Sequence, residues 1–269
     1  MFATYMNSLH ETLSRRVALV LFGVAILVTI AFNWFVHIRP LGNGMSAMII
    51  GSQPPVPSGI AVPAVLESLL RATGTLWLLL AVFAAAPLLT STLEKGWLEL
   101  IFSKGTPRWK IFLGRFLGGL TLYAFTFVLA TFPLAMRLWW ETGIGTWRIG
   151  VALLIQTFSF AALLSAAALV TLPQKGVTLP IMASVAIWIL SPSLAARQEV
   201  FYRIFTSHLA RAIVDWAYRI LPKCSELEGL CISLVQGGRI TSWWPVWSTG
   251  VFTLAVLSLT LWQLSRKSF

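Results

Sequence analysis

Six stretches of this 269-residue chain contain no Asp, Glu, Lys, Arg or His: Val17–Val36, Ala72–Leu93, Phe116–Met136, Ile149–Leu172, Val177–Leu194 and Val246–Leu264. Each is close to the roughly 20 apolar residues that a helix rising about 1.5 Å per residue needs to cross about 30 Å of hydrocarbon. Within lipid a backbone must satisfy its own hydrogen bonds, so such segments fold as helices. Composition points the same way, with 57% hydrophobic and 11% charged residues, against about 25% charged in soluble domains. The reading is an all-α integral membrane protein whose residues 1–269 form one transmembrane domain of six transmembrane helices.

The net charge of +11 does not point to nucleic acid. Its basic residues lie between the apolar runs, not in one stripe interleaved with base-stacking aromatics. They act as topological signals. With the N-terminus in the cytoplasm, Arg15, Arg16, Lys95, Lys104, Arg108, Lys110, Arg115, Lys175, Arg266 and Lys267 fall in short inside segments. The remaining Lys and Arg are spread through longer outside loops, which weigh less in setting orientation. Both termini are therefore expected in the cytoplasm. No small-x-small cleavage site follows the first run, which reads as a retained anchor.

Between the spans, Phe2, Tyr5, Met6, Leu9 and Leu13 recur at helical spacing and predict an N-terminal interfacial helix over Met1–Leu13. The Gly- and Pro-dense segment His37–Leu70 reads as an irregular loop, ending where Glu67 and Arg71 stand four apart for a helix ion pair. Pro87, Pro133 and Pro180 lie within spans and predict kinks. Residues 195–245 form an outside helical loop. Its first half, Glu199–Leu221, reads as one amphipathic helix with Phe201, Ile204, Phe205, Ile213, Trp216 and Ile220 on its apolar side. That helix is expected at the interface or over the outer mouth, with Trp243, Trp244 and Trp247 marking the interface before the last span. Cys224 and Cys231 fall in the same loop. In an oxidising compartment they pair as a disulfide, the alternative being two free thiols. No His or carboxylate pattern completes a metal site around them.

No catalytic constellation is visible. The chain has no G-x-x-x-x-G-K-[ST] loop and no H-E-x-x-H helix, and His10, His37 and His208 are scattered. It is expected to be no enzyme itself, with no cofactor or metal of its own. The most polar groups within the spans are Gln156, Asn33, Ser159, Ser165 and several Thr, suited to hydrogen bonding between helices. Proton- and sodium-driven carriers place ionisable groups within the bilayer, so that class is disfavoured. Energy for any transport must come from another chain.

One loop is specific. After the second run the chain reads Glu94-Lys95-Gly96-Trp97-Leu98-Glu99-Leu100-Ile101-Phe102-Ser103-Lys104-Gly105-Thr106-Pro107-Arg108. Leu98, Ile101 and Phe102 have helical spacing, Glu94, Lys95 and Glu99 face water, and Gly105 and Pro107 stop the helix. A second helix begins near Arg108 and leads into the third span. Alone, this is a short helix lying parallel to the cytoplasmic face, either offered to a partner or purely structural.

The loop resembles that of the ABC-2 type permeases, the membrane subunits of ATP-binding cassette exporters. Their loop runs acidic residue, x, Gly-Thr-Leu-Glu-Leu-Leu-Leu, then Pro-x-Ser-Arg and Gly-Lys. This chain keeps Glu94, Gly96, Leu98, Glu99, Leu100, Arg108 and Gly114 in register, with Trp97, Gly105, Pro107 and Arg115 at the usual Thr, Pro, Ser and Lys. The resemblance implies that residues 94–110 are a cytoplasmic coupling-helix loop docked on a separate ABC ATPase subunit. Glu94, Trp97, Glu99, Phe102 and Arg108 would form the interface, although Arg108 also suits a lipid phosphate. It further implies two ATPase copies carrying ATP and magnesium, a second copy of this chain or a related permease, surrounding membrane lipids, and room for an extracytoplasmic accessory protein. The location would be a bacterial inner membrane and the cargo lipid-like or amphiphilic. The alternatives are a non-transporting scaffold, assembly or mechanotransmission subunit, and a membrane-embedded lipid-modifying enzyme.

Overall fold

The computed structural model describes residues 5–6, 16–42, 45–50, 56–90, 107–143, 146–171, 176–205, 207–240 and 242–266. Among the described residues, six helices are long and apolar enough to cross a membrane: α1 Arg16–Phe35, α2 Ser58–Thr90, α3 Arg108–Thr142, α4 Arg148–Thr171, α5 Thr178–Ala195 and α9 Trp244–Arg266. The chain is a mostly helical integral membrane protein. Each helix forms around one of the apolar runs, since burying a long apolar stretch overrides local propensity in lipid.

Helix α2 departs most from expectation, starting well before Ala72 and continuing for 33 residues. At about 1.5 Å per residue it is about 50 Å long and overruns the hydrocarbon. Its projecting part carries the expected Glu67–Arg71 ion pair, closed at 2.9 Å. The segment before it is not an irregular loop, because backbone pairing builds a small antiparallel sheet there. Strands β1 Val36–Gly42, β2 Met45–Ile50 and β3 Val56–Pro57 lie in the order β1-β2-β3. Val36 stands opposite Ile50, and the register breaks between Pro40 and Gly42. Ladder hydrogen bonds satisfy backbone groups that Gly and Pro composition alone would assign to a loop.

The core runs through α2, α3 and α4, where Trp77, Tyr123, Phe127 and Phe160 are fully buried. Tyr123 and Phe160 stack with ring centroids 4.5 Å apart. Gly119 permits a close approach, because a Cβ there would lie 3.1 Å from Leu164 Cδ2 and 3.2 Å from the Ala85 Cβ. Several buried hydroxyls are satisfied within their own helices, as in Thr126 to the Leu122 carbonyl and Thr131 to the Phe127 carbonyl. Others bridge helices: Ser184 Oγ donates to the Leu163 carbonyl at 3.0 Å, and Thr29 Oγ1 to the Ala130 carbonyl at 3.1 Å. Pro87 and Pro133 sit inside helices. Pro180 does not act as an interior kink, for it occupies the first turn of α5, where a missing N–H costs nothing.

Tryptophans mark the ends. Trp34, Trp139, Trp140, Trp147, Trp243, Trp244 and Trp247 are exposed at the end of the bundle that carries the sheet, and Trp109 and Trp262 at the opposite end. This is the aromatic belt expected of a bilayer protein. Of the expected N-terminal helix, Tyr5 and Met6 are described, and the Tyr5 hydroxyl bonds Thr121 Oγ1 at 2.9 Å. Phe2, Leu9 and Leu13 lie outside the described residues.

The expected single helix over Glu199–Leu221 is two: α6 Phe201–Ile204 and α7 His208–Ile220, parted by extended backbone at Phe205 and Ser207. Leu209, Ile213, Trp216 and Ile220 form an exposed stripe on α7. Its Asp215 is turned toward Arg197 and Tyr202 of the same end. The helix therefore presents its apolar side outward and its polar side to protein, the arrangement for a helix bathed in lipid at an interface.

Candidate functional site

The expected ATPase-contacting residues Glu94, Trp97, Glu99 and Phe102 lie outside the described residues. Arg108 is the first residue of α3. The two helices that flank this loop, α2 and α3, pack against each other. The buried Arg115 guanidinium donates to the Leu88 carbonyl at 2.8 Å. A cation there complements the negative end of α2 and fixes the point where the loop leaves it.

At the other end the structure brings together a site that no sequence pattern announced. Residues 195–245 are not wholly superficial, because helix α8, Cys224–Val235, wedges between α2, α4 and α5. Leu227 and Cys231 on it are fully buried. Its first turn is held by Ser225 N donating to Ser191 Oγ at 3.0 Å. Lys223 N donates to Thr249 Oγ1 at 3.1 Å. Its last residues return to the sheet end, where Gln236 Nε2 donates to Glu67 and a Cβ on Gly237 would lie 2.9 Å from Arg148 Nη1.

The wedge carries Glu228 inward. A Cβ on Gly74 of α2 would sit 3.2 Å from Glu228 Oε1 and 2.8 Å from Gln156 Nε2 of α4. The carboxylate and the amide thus converge on one glycine. Gln156 is eight residues along α4 from Arg148, about 12 Å below that helix end at 1.5 Å per residue. The half-buried carboxylate therefore stands beside α4 at about that height, on a helix that is not among the six long apolar ones. The six apolar runs hold no Asp, Glu, Lys, Arg or His, and this carboxylate comes from a helix outside them.

Cys224 and Cys231 do not pair, and the expected disulfide is replaced by two buried free thiols. They occupy one helix seven residues apart, about 10 Å at 1.5 Å per residue, beyond the roughly 7 Å Cα separation a disulfide tolerates. Cys231 Sγ lies 3.7 Å from the Ala152 carbonyl. No cluster of three or more His, Cys, Asp or Glu suited to a metal exists among the described residues.

Glu228 also lines a cleft of about 510 Å³ with Arg71, Leu78, Trp188, Pro192, Cys224, Ser225, Ser233 and Gln236. Its lining mixes apolar Leu78, Trp188 and Pro192 with polar Arg71, Ser225, Ser233 and Gln236. Next to the wedge a second polar cluster ties α7 to α8 and α9. The buried Lys223 Nζ donates to the Tyr218 carbonyl at 3.0 Å and to Ser248 Oγ at 2.9 Å, and stands 4.1 Å from the Tyr218 ring centroid. Arg197 lies 3.7 Å from the same ring. The Tyr218 hydroxyl donates to Glu226 at 2.6 Å. Burial first, and then that bond, pushes the phenol up to about 12. The Tyr202 hydroxyl bond, joined by Arg197, holds the Asp215 carboxyl below its ordinary value. Burial lowers the Lys223 ammonium.

Sequence reasoning missed Glu228, Lys223 and the role of Gln156. The available signal was the helical spacing of Cys224, Leu227 and Cys231, which a hydropathy window averages away with Glu226 and Glu228. No protein-family model and no curated protein matches the chain, so the reading of both ends rests on the residues themselves.

Proposed function

We propose that the chain is the permease subunit of an ATP-driven ABC exporter, moving a lipid-like or amphiphilic substrate and coupled to a separate ATPase through the loop after α2. The observation that carries the reading is the run Glu94, Gly96, Leu98, Glu99, Leu100, Arg108 and Gly114, in unbroken register with that of the ABC-2 permeases. The packing of α2 on α3 and the Arg115–Leu88 bond support it, since a push on the loop would reach both helices together. In this reading both termini and the loop face the cytoplasm of a bacterial inner membrane. Two permease copies face each other, and two ATPases supply ATP hydrolysis.

The test is affinity purification of the tagged chain in mild detergent with identification of co-purifying chains by mass spectrometry. An ABC ATPase at near-equal stoichiometry, lost in the Glu94→Lys, Glu99→Lys variant, is the expected result. A monodisperse preparation without an ATPase would sink the exporter reading and leave a scaffold.

A further inference from the structure

The sheet end carries more positive charge than its fold uses. Over His208–Lys223 the cations are Arg211, Arg219 and Lys223, against the single carboxylate Asp215. Arg211 donates to the Phe205 and Tyr202 carbonyls, and Lys223 to the Tyr218 carbonyl and Ser248 Oγ. Asp215 lies in the field of Arg219, but its oxygens are bonded by Arg197 and Tyr202. Arg219 is exposed, and its side chain has no hydrogen bond or ion pair among the described residues. The last turn of α7 does not engage it either, since Lys223 meets the Tyr218 carbonyl and Leu221 N the Ala217 carbonyl. Beside Arg219 a groove of about 490 Å³ follows the exposed side of α9. It opens between Arg219 and Trp244 and runs past Ser248, Val251 and Ala255 to Leu259. Ser248 and Ala255 are small, which gives the groove depth between larger neighbours. From Trp244 to Leu259 it is about 22 Å long at about 1.5 Å per residue, enough to cover the roughly 15 Å of one leaflet's hydrocarbon and reach the interface.

The two parts of the groove call for different chemistry in one molecule. Below Ser248 the lining is wholly apolar, the surface for a hydrocarbon chain. The mouth holds the free guanidinium, with the exposed Trp244 and Trp247 beside it as interfacial anchors. A guanidinium fork matches two oxygens of a phosphodiester. A second copy docked here by two-fold symmetry would bring a second Arg219 to the same patch, like charge against like. A headgroup with its own ammonium would add a further cation where Arg219 and Lys223 already stand, so a net-negative headgroup fits better. We propose that the α7–α9 groove holds a phospholipid of the surrounding bilayer, an acyl chain along α9 and its phosphate on Arg219, with preference for an anionic headgroup. The lipid is a fixed partner of the fold, and the proposal rests on the membrane-spanning bundle alone, not on the exporter reading.

The experiment places the purified full chain in nanodiscs of equal parts dioleoylphosphatidylcholine and dioleoylphosphatidylglycerol. Native mass spectrometry then counts and identifies the lipid each protein ion retains. The wild type should retain phosphatidylglycerol in excess over phosphatidylcholine. Arg219→Gln should lower that retention about tenfold, the loss of a charge-assisted contact. Ala255→Phe fills the groove from an exposed position and should lower retention of either lipid. Arg203→Gln removes the same charge from an exposed position on α6 outside the groove and should retain lipid as the wild type does. Variants are compared at unchanged helical circular dichroism, and Arg219→Gln against Arg203→Gln carries the test if Ala255→Phe does not fold. Equal retention by the wild type, Arg219→Gln and Ala255→Phe would overturn the proposal, as would a wild type without excess phosphatidylglycerol. An equal loss in Arg203→Gln would overturn it too, by showing diffuse attraction in place of a site. A lipid-free dimer that Ala255→Phe dissociates would assign the groove to a second copy instead.

Discussion

Lys223 gives the sharpest test of how the wedge is held. The residue is 3% exposed, and its ammonium bonds the Tyr218 carbonyl and the Ser248 hydroxyl. Tyr218 lies in the last turn of α7, so its carbonyl has no partner in its own helix and the lysine acts as a cap. Replacing Lys223 by Met keeps the length and removes the charge. Two opposed quantities decide the outcome. Charge-assisted hydrogen bonds contribute about 1.5–3 kcal/mol, and a cation over an aromatic face about 0.5–2 kcal/mol. Against them, Met escapes the several kcal/mol that desolvating an ammonium costs. Because two oxygens and the Tyr218 ring already surround Nζ, the contacts should win and Lys223→Met should lose about 2 kcal/mol. For a chain of this size that is a fall of about 4–8 °C in melting temperature. The assay is thermal unfolding in nanodiscs followed by intrinsic fluorescence. A cycle with Tyr218→Leu should return a coupling of about 0.5–2 kcal/mol, the ring's share. An unchanged or higher melting temperature in Lys223→Met would refute the reasoning and show that desolvation dominates.

Four further outcomes follow from the same structure. Gly119→Val should destabilise the bundle by about 1–3 kcal/mol, read by thermal unfolding, because Leu164 and Ala85 leave no room for its side chain. Arg115→Met should cost about 2 kcal/mol through the lost bond to the Leu88 carbonyl, with Arg115→Lys recovering part of it. Cys224 and Cys231 should resist maleimide in the folded protein and label fully in denaturant, with no reductant-dependent shift in gel mobility. Tyr218 keeps its proton to about 12 in the fold, and an unfolded tyrosine to about 10. Stability should therefore fall as pH rises through that interval, and Tyr218→Phe should flatten the decline in alkaline unfolding curves.

The spans were legible because crossing a bilayer is a one-dimensional demand. Some twenty apolar residues without charge suffice, and Ile149–Leu172 became Arg148–Thr171 almost unshifted. What depended on distant residues was not legible. The pairing of Val36 with Ile50 cannot be read from the Gly and Pro content between them. Helix α8, with only 12 residues and both Glu226 and Glu228, is too short and too polar to register as buried; α2, α4 and α5 make it so. The proposed disulfide failed for a related reason, since the spacing of Cys224 and Cys231 says nothing about distance until the intervening backbone is known to be helical. Gln156 was seen as a polar group among helices, but its convergence on Glu228 required the fold.

The wedge also separates two counts that hydropathy treats as one. Helix α8 enters and leaves by the same end of the bundle, so it fills the interior without changing sides. Insertions into the bundle and crossings of the bilayer therefore differ by one. The helices long and apolar enough to cross number six among the described residues, an even count. Epitopes placed at residues 206 and 241 should be reached by an impermeant protease from the same side of a sealed vesicle, and tags at the two termini from the opposite one.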